Sequence, residues 1–259
     1  MGNNILVSII TVVYNGEQYL QQTINSVLNQ TYKNIEYIII DGGSTDGTID
    51  IIKNNELKIS KWISEPDHGL YDAMNKGIQM AKGELIGMIN SDDWYELNAV
   101  EIMVDAYSLN SSKNIFHADR YNVDENSKRE IRKFNPSVFK FKYYGMTYNH
   151  PSMFITKFEY NKHLYNPNLR SHSDYQFVLE AYLRDSSIFY YIEKPIVNYR
   201  LDGLSAKQGM LDSTKEGFKS RVNSKFGLFN TIVALVIGTA VSIYFKIFNF
   251  IKRNINGLQ

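Results

Sequence analysis

The run Ile35-Glu36-Tyr37-Ile38-Ile39-Ile40 leads directly into Asp41-Gly42-Gly43-Ser44-Thr45-Asp46-Gly47-Thr48, and Leu85-Ile86-Gly87-Met88-Ile89 leads into Asn90-Ser91-Asp92-Asp93. Both are short apolar runs that stop at an acidic turn. Runs of this length and composition read as strands of a parallel sheet, buried on both faces. In open α/β sheets ligands bind outside the carboxyl ends of the strands, so acids placed there are aimed at a ligand and poorly placed to serve as core. A nucleotide diphosphate accompanied by a divalent cation needs acids of this kind.

The flanking sequence repeats the alternation. Leu6 to Val13 predicts a buried first strand; no basic region precedes it and Ser8 and Thr11 are polar, so it reads as a strand and not as a signal peptide. Leu20, Ile24, Val27 and Leu28 recur at helical spacing after Tyr19. Thr48 to Asn54 predicts a short helix with Ser44 or Asp46 as its cap. Ile59 to Ile63 predicts a third strand, Leu70 to Ala81 a helix closed near Gly83, and Asn98 to Tyr107 a helix after the fourth strand. Four alternations of strand and helix predict an α/β fold, a mostly parallel sheet flanked by helices on both faces. Beyond Asn114 the pattern is irregular, with β-like pieces at Ile115 to Ala118, Ser152 to Thr156, Phe189 to Ile192 and Ile196 to Tyr199, and one helix from Asp174 to Leu183.

Composition sets outer limits. The 259 residues are 44% hydrophobic and 21% charged, which describes a globular chain and argues against disorder. Lys+Arg 28 against Asp+Glu 27 leaves no overall basic excess, so no nucleic-acid partner is expected. From Ala206 onward eight basic residues meet only Asp212 and Glu216, a net +6, and the first 205 residues therefore carry −5. The absence of cysteine excludes disulfides and thiolate metal sites and fits a reducing compartment.

The acidic turns suit a sugar-nucleotide donor, whose diphosphate leaves well only when its charge is neutralised by a hard cation held on carboxylate oxygen. On extended backbone the side chains of Asp92 and Asp93 point to opposite sides, so one can reach a metal while the other turns to a ribose. Asp41 is placed to accept from a base N–H, the glycines after it permit close backbone approach, and the helix near Thr48 adds a favourable dipole. Taken singly, each turn is also an ordinary strand-to-helix connection; it is their joint occurrence at successive strand ends that favours a ligand site. Asp174 opens a helix, where an acid stabilises the dipole whether or not it does chemistry, and from the residues alone it reads as a cap. The five histidines show no metal-ligand spacing and read mostly as loop or surface residues, while the tyrosines and phenylalanines read mostly as core and rim packing.

Together these residues resemble the family 2 glycosyltransferases of the GT-A (Rossmann-like) fold, particularly bacterial enzymes that extend lipid-linked O-antigen or capsule units. The resemblance covers about residues 5 to 205 and rests on Ser8 to Asn15, on Asp41 to Thr48, on Glu65-Pro66-Asp67-His68-Gly69-Leu70-Tyr71-Asp72-Ala73-Met74-Asn75-Lys76-Gly77, and on Asn90 to Asp93. It implies that Thr11, Tyr14 and Asp41 hold the uracil of a UDP-sugar, Asp92 the ribose and Asp93 a Mn²⁺ or Mg²⁺ ion, that Asn75 and Lys76 face the nucleotide, and that Asp174 is the general base. Where the family has Glu-Asp the chain has Ser173-Asp174, and Leu201-Asp202-Gly203-Leu204-Ser205 departs from the family's Gly-Gly before the late serine. A nucleotide-binding half over about 1–110 and an acceptor half over about 111–205 follow by resemblance. The implied reaction is inverting transfer of a hexose from a UDP-sugar to a lipid-diphosphate-linked sugar. Two alternatives stand beside it: a non-catalytic nucleotide-sugar-binding scaffold, which the presence of both Asp93 and Asp174 argues against, and a sugar-1-phosphate nucleotidyltransferase, whose glycine-rich basic loop is missing.

Residues 206–259 read as a basic linker and a tail helix. Leu228 to Phe245 is free of charge, and Thr239, Ser242, Lys246, Asn249 and Arg253 recur at spacings of three and four. That stripe predicts a C-terminal membrane-associating helix lying in the interface, its basic residues on anionic lipid and residues such as Leu235, Ile243 and Phe248 in the apolar layer, at the cytoplasmic face of the bacterial inner membrane. The alternative is a helix packed on the catalytic domain or on a second subunit, making a homo-oligomer.

Overall fold

The computed structural model describes residues 4–201 and 210–241. Its centre is β1 (Val7–Val13), in which every residue is buried. Next to it lie β2 (Ile35–Asp41) and β4 (Leu85–Asn90), both parallel to it, and β3 (Lys61–Ser64) continues the parallel set beyond β2. Thr11 stands opposite Ile39 and Ile89 in the same register. β8 (Phe154–Thr156) then pairs antiparallel with β4, and β6 (Ile115–Val123), β9 (Phe189–Arg200) and β5 (Trp94–Tyr95) complete a nine-stranded sheet, with β7 (Arg129–Arg132) hairpinned on β6.

Helices cover both faces. Leu20, Ile24 and Val27 of α1 (Leu20–Leu28), Ile52 of α2 (Thr48–Asn54) and Val100 and Met103 of α4 (Ala99–Leu109) are buried with Ile9, Tyr37 and Ile39 on one face. Met74 and Ile78 of α3 (Leu70–Met80) and Phe177 and Val178 of α6 (Ser173–Arg184) are buried with Ile10, Ile38 and Ile40 on the other. Alternate residues of each strand thus serve opposite cores, and each fully buried isoleucine contributes about 1.5–3 kcal/mol. A Cβ on Gly77 would fall 2.5 Å from Ile10 Cγ2, so glycine is what lets α3 lie this close to β1.

The second half is more regular than its sequence. The two β-like pieces at 189–192 and 196–199 are one strand, β9, parallel to β6 and interrupted by a register shift where Ala118 faces Ile192 and Asp119 faces Pro195. Proline cannot donate to the ladder, which breaks the alternation that sequence reading depends on. β5 and β7 carry no sequence signal of their own. Residues 210–223, expected as part of a linker, form α7 (Met210–Asn223), in which Ser220 and Arg221 are buried. Ser220 Oγ donates to His172 O at 3.0 Å and Arg221 Nε to Lys142 O at 2.9 Å, tying α7 to the start of α6.

One histidine, His117, departs from the loop and surface reading. His117 on β6 is 2% exposed, packed among Phe134, Tyr148 and Tyr191, and its Nδ1 has no hydrogen-bond partner among the described residues. Burial pushes its pKa down to about 3 from 6.5. The folded state holds this ring neutral while the unfolded chain protonates it, so the stability it contributes is complete above pH 6.5 and is lost as pH falls towards 3, at no more than about 1.4 kcal/mol per pH unit. His117→Phe is expected to flatten the pH dependence of urea unfolding between pH 6.5 and 4 without loss of stability at pH 7.5; an unchanged slope would show that His117 is not protonated on unfolding in that window.

Candidate active site

The strand order β3-β2-β1-β4 runs away from β1 on one side and resumes at β4 on the other, so the connections leaving β1 and β4 part in opposite directions and leave a crevice outside their carboxyl ends. Two loops floor it. Asn15, at φ 49, receives its place from Ser44: Asn15 N donates to Ser44 Oγ at 2.7 Å and Thr45 N donates to Asn15 Oδ1 at 2.9 Å. Gly16 N donates to Thr48 Oγ1 at 2.8 Å, Glu17 N to Asp46 Oδ2 at 3.2 Å and Gly47 N to Glu17 Oε2 at 2.7 Å. Neither expected residue caps α2, whose N-cap is Gly47 with no side-chain cap: Asp46, one position earlier, accepts from Thr48 N at 3.0 Å, and Ser44 is spent on Asp41 and Asn15. A Cβ on Gly42 would sit 2.4 Å from Asp67 Oδ2, so glycine admits the 65–69 loop against this turn.

Asp41 is fully buried and heavily engaged. Its Oδ2 accepts from Gly43 N and Ser44 N, both at 3.0 Å, and from Ser64 Oγ at 2.7 Å; its Oδ1 accepts from Ser44 Oγ at 2.5 Å. A carboxylate offers about four acceptor positions and four donors occupy them, so the group's first task is to fold the turn. Thr11 is buried with its hydroxyl on Tyr37 Oη at 3.0 Å, under the crevice, and Tyr14 is 58% exposed at its edge.

Asn75, expected to face the nucleotide, has its amide engaged on the protein's own backbone. Its amide is buried and closes a two-way clamp on one backbone residue, Nδ2 donating to Tyr165 O at 2.8 Å and Oδ1 accepting from Tyr165 N at 3.0 Å. Lys76 does lie on the loop side of α3, paired with Glu65 at 2.8 Å and Asp72 at 3.5 Å.

The 90–93 turn is held from below by Thr23 of α1, whose hydroxyl reaches Ser91 O at 2.9 Å and Asp93 O at 2.6 Å. Asp93 is 1% exposed. Its Oδ1 accepts from Arg200 N at 3.0 Å, and its Oδ2 is buried with no donor among the described residues. Burial and then the neighbouring charge of Asp92 push its pKa well above the carboxylate range. An orphaned, charge-stressed carboxylate oxygen fits a divalent cation, which would satisfy the oxygen and relieve the stress. No group of three or more His, Cys, Asp or Glu is placed to hold a metal among the described residues, so a cation on Asp93 would take most of its coordination from a bound ligand's oxygens and water.

Asp174, one residue into α6, is not a helix cap. No side chain caps α6, whose N-cap is His172 at φ 65; the Asp174 carboxylate instead accepts from Tyr71 Oη at 3.0 Å. Burial and the Asp174 charge raise the Tyr71 pKa, so the phenol stays the donor. Asp174 lines a cavity of about 900 Å³ together with Asn90, Tyr71, His150 and His172. Sequence reading missed Tyr71, Thr23 and Glu17 because each acts through a partner on another element.

Asp41→Asn turns one of the two acceptor oxygens into an N–H₂ that faces a donor and removes the carboxylate's charge; it is expected to destabilise the chain by about 2 kcal/mol in denaturant unfolding. An unchanged midpoint would mean that the turn does not depend on this carboxylate.

The description "Glycosyl transferase family 2" matches residues 8–165. The chain is 28% identical over 223 residues to chondroitin synthase of Escherichia coli, covering 84% of this chain and 32% of that protein. It is 30% identical over 199 residues to an uncharacterized glycosyltransferase of Rickettsia typhi, covering 71% of this chain and 61% of that one. It thus spans about a third of the chondroitin synthase. S. aureus TarS in complex with UDP-GlcNAc has the same fold at TM-score 0.67 and 18% identity, over 91% of this chain and 72% of that one. The mannosyltransferase PcManGT from Pyrobaculum calidifontis, in complex with GDP-Man and Mn²⁺, follows at TM-score 0.61 and 13% identity, over 93% and 75%. With a match that runs from β1 across the acidic turns to Tyr165, the chain belongs to glycosyl transferase family 2.

Proposed function

We propose that the chain transfers a hexose from a UDP-sugar to a lipid-diphosphate-linked sugar acceptor, with inversion at the anomeric carbon, in the synthesis of a bacterial surface polysaccharide such as O-antigen or capsule. One observation carries this reading: Asp174 on α6 lines the same cavity as Asn90, the residue that ends β4 and opens the acidic turn, so a candidate base faces the candidate donor site. The UDP-GlcNAc complex of TarS supports a nucleotide-sugar donor by likeness of fold.

In this reading residues 1–205 form the catalytic domain, with the nucleotide over about 1–110 and the acceptor over about 111–205. Uracil lies against Tyr14 and the turn that Asp41 and Thr11 support, and Asp92 takes the ribose. Asp93 holds Mn²⁺ or Mg²⁺, and a cation there offsets the negative charge that grows on the departing diphosphate. Asp174 removes the proton from the acceptor hydroxyl as the oxygen attacks C1 of the sugar and the bond from C1 to the β-phosphate oxygen breaks. Tyr71, donating to one carboxylate oxygen, leaves the other aimed at the acceptor.

Location follows from the helical segment 228–241. Thr231 and Ala234 are 1% and 2% exposed, turned towards the body, and Tyr143 Oη donates to Asn230 Oδ1 at 3.1 Å. Leu228, Phe229 and Val236 are 68%, 77% and 63% exposed, and Ile232 and Leu235 stand with them. These positions recur at helical spacing, one apolar face without a partner among the described residues. Packing on the domain and an outward apolar face therefore coexist in one helix. No helix among the described residues is long and apolar enough to cross a membrane. We infer a peripheral position at the cytoplasmic face of the inner membrane, which concentrates the enzyme on a lipid-borne acceptor. Ser242, Ile243, Lys246, Phe248, Asn249 and Arg253 of the expected stripe, and Asp202 to Ser205, lie outside the described residues.

A panel of UDP-sugars assayed with synthetic sugar-diphosphate-lipid acceptors, product linkage read by NMR, tests the reaction. Asp93→Ala and EDTA are each expected to reduce transfer at least a hundredfold, about 3 kcal/mol of barrier; full activity in either would remove the cation from the mechanism. Asp174→Asn is expected to abolish turnover while UDP affinity stays within a few-fold, and normal turnover would assign the base elsewhere. Replacing Phe229 and Val236 together by serine is expected to reduce sedimentation with anionic vesicles at least tenfold at both low and high salt, since apolar burial is not screened. Unchanged sedimentation would place the membrane contact on another surface.

A further inference from the structure

Arg120 and Arg132 stand directly opposite each other in the antiparallel β6–β7 hairpin, and both line the cavity that holds Asp174. Like charges opposite one another on a sheet repel. Burial costs a guanidinium several kcal/mol unless it is paired, yet among the described residues neither side chain pairs with a carboxylate. Arg120 is 7% exposed, its guanidinium stacked 3.7 Å above the Tyr199 ring, and a single side-chain bond is recorded for it, from Nε to Asn122 Oδ1 at 2.9 Å. Burial first and then the Arg132 charge lower the Arg120 pKa to about 10, the expected sign of two cations awaiting an anion.

We propose that Arg120 and Arg132 form a phosphate-binding site for the acceptor substrate, separate from the place of the donor's diphosphate. The proposal rests on the glycosyl-transfer reading and gives its acceptor a chemical class: a sugar bearing a phosphate or diphosphate close to the reacting hydroxyl. Two phosphates enter that reaction, and the cavity distinguishes them. Asp174 shares it with the arginines, whereas Thr11, Tyr14, Asp41, Asp92 and Asp93 are not among its lining residues. Arg120 also feels the charge of Asp93, which puts the pair beside the donor site, where the acceptor's attacking hydroxyl must come to rest. Planar guanidinium forks on adjacent strands match phosphate oxygens bidentately, and Tyr199 fixes the plane of one of them.

The test titrates inorganic phosphate into the full chain by calorimetry, with and without saturating UDP and Mg²⁺. Phosphate is expected to bind in both conditions. Arg120→Gln and Arg132→Gln are each expected to weaken it at least tenfold, Arg132→Lys by less than Arg132→Gln because the charge is kept and only the fork is lost, and UDP affinity is expected to stay within threefold in all of them. With a lipid-diphosphate acceptor, Arg132→Gln is expected to raise the acceptor KM about tenfold at constant donor KM. Displacement of phosphate by UDP, or loss of UDP affinity in the glutamine variants, would assign the pair to the donor and overturn the proposal; so would phosphate affinity unchanged by the substitutions in chains whose circular dichroism is native. Phosphate binding through these arginines in a chain that binds no UDP and transfers no sugar would instead overturn the glycosyl-transfer reading and leave the anion site standing.

Discussion

Everything in this molecule is arranged about a parallel strand that no water reaches. β1 is buried along its whole length and pairs with a parallel strand on either side, so both of its faces need cover. Parallel strands require crossovers, the crossovers are helices, and helices must go to both faces. Because β2 and β3 extend the sheet on one side of β1 and β4 continues it on the other, the chain leaves β1 and β4 in opposite directions and the crevice between them is a geometric consequence. The acids at the ends of β2 and β4 fall at its rim because the apolar runs that make the strands stop there.

Within the crevice most polar side chains hold other loops and leave few atoms for a ligand. Asp41, Asp46, Asn15 and Glu17 hold the 14–17 and 41–48 segments against each other, and Thr23 fixes the 90–93 turn on α1. Against this background of satisfied groups the exceptions stand out. Asp93 Oδ2 has no donor, and Arg120 and Arg132 have no carboxylate among the described residues. A buried group left unpaired costs free energy that the fold recovers only when something binds. An unpaired anion and an unpaired cation pair within electrostatic reach of each other are complementary to a metal and to phosphate.

The basic C-terminal region divides into parts with different physics. α7 is structural: Arg221 donates to Lys142 O, Glu216 accepts from Arg170 N at 3.0 Å, and together with α6 it walls the cavity. The segment 228–241 keeps Thr231 and Ala234 inward and turns its large apolar side chains outward, the reverse of what solvent exposure favours. A net positive charge counted over the whole region cannot separate these parts, since the count ignores which residues face the domain.

Strand and helix periods up to Leu109, the crevice acids and the family were legible in the sequence, because a buried parallel strand is a continuous apolar run and its end is an abrupt change of polarity. The same local signal failed in the second half, where Pro195 and a register shift break the alternation of β9 and where β5 and β7 are too short to have a period. Residue type placed Asp174 at a helix start; only the tertiary structure turned it from a cap into the partner of Tyr71, 103 positions away. It likewise engaged the Asn75 amide on the backbone of Tyr165, and took His117 from the surface to an aromatic core and Arg120 and Arg132 from two unremarked positions to one site. Periodicity and polarity act between neighbours in the chain and so are written there, whereas hydrogen bonds, burial and charge pairing depend on distances that exist only once the sheet has closed.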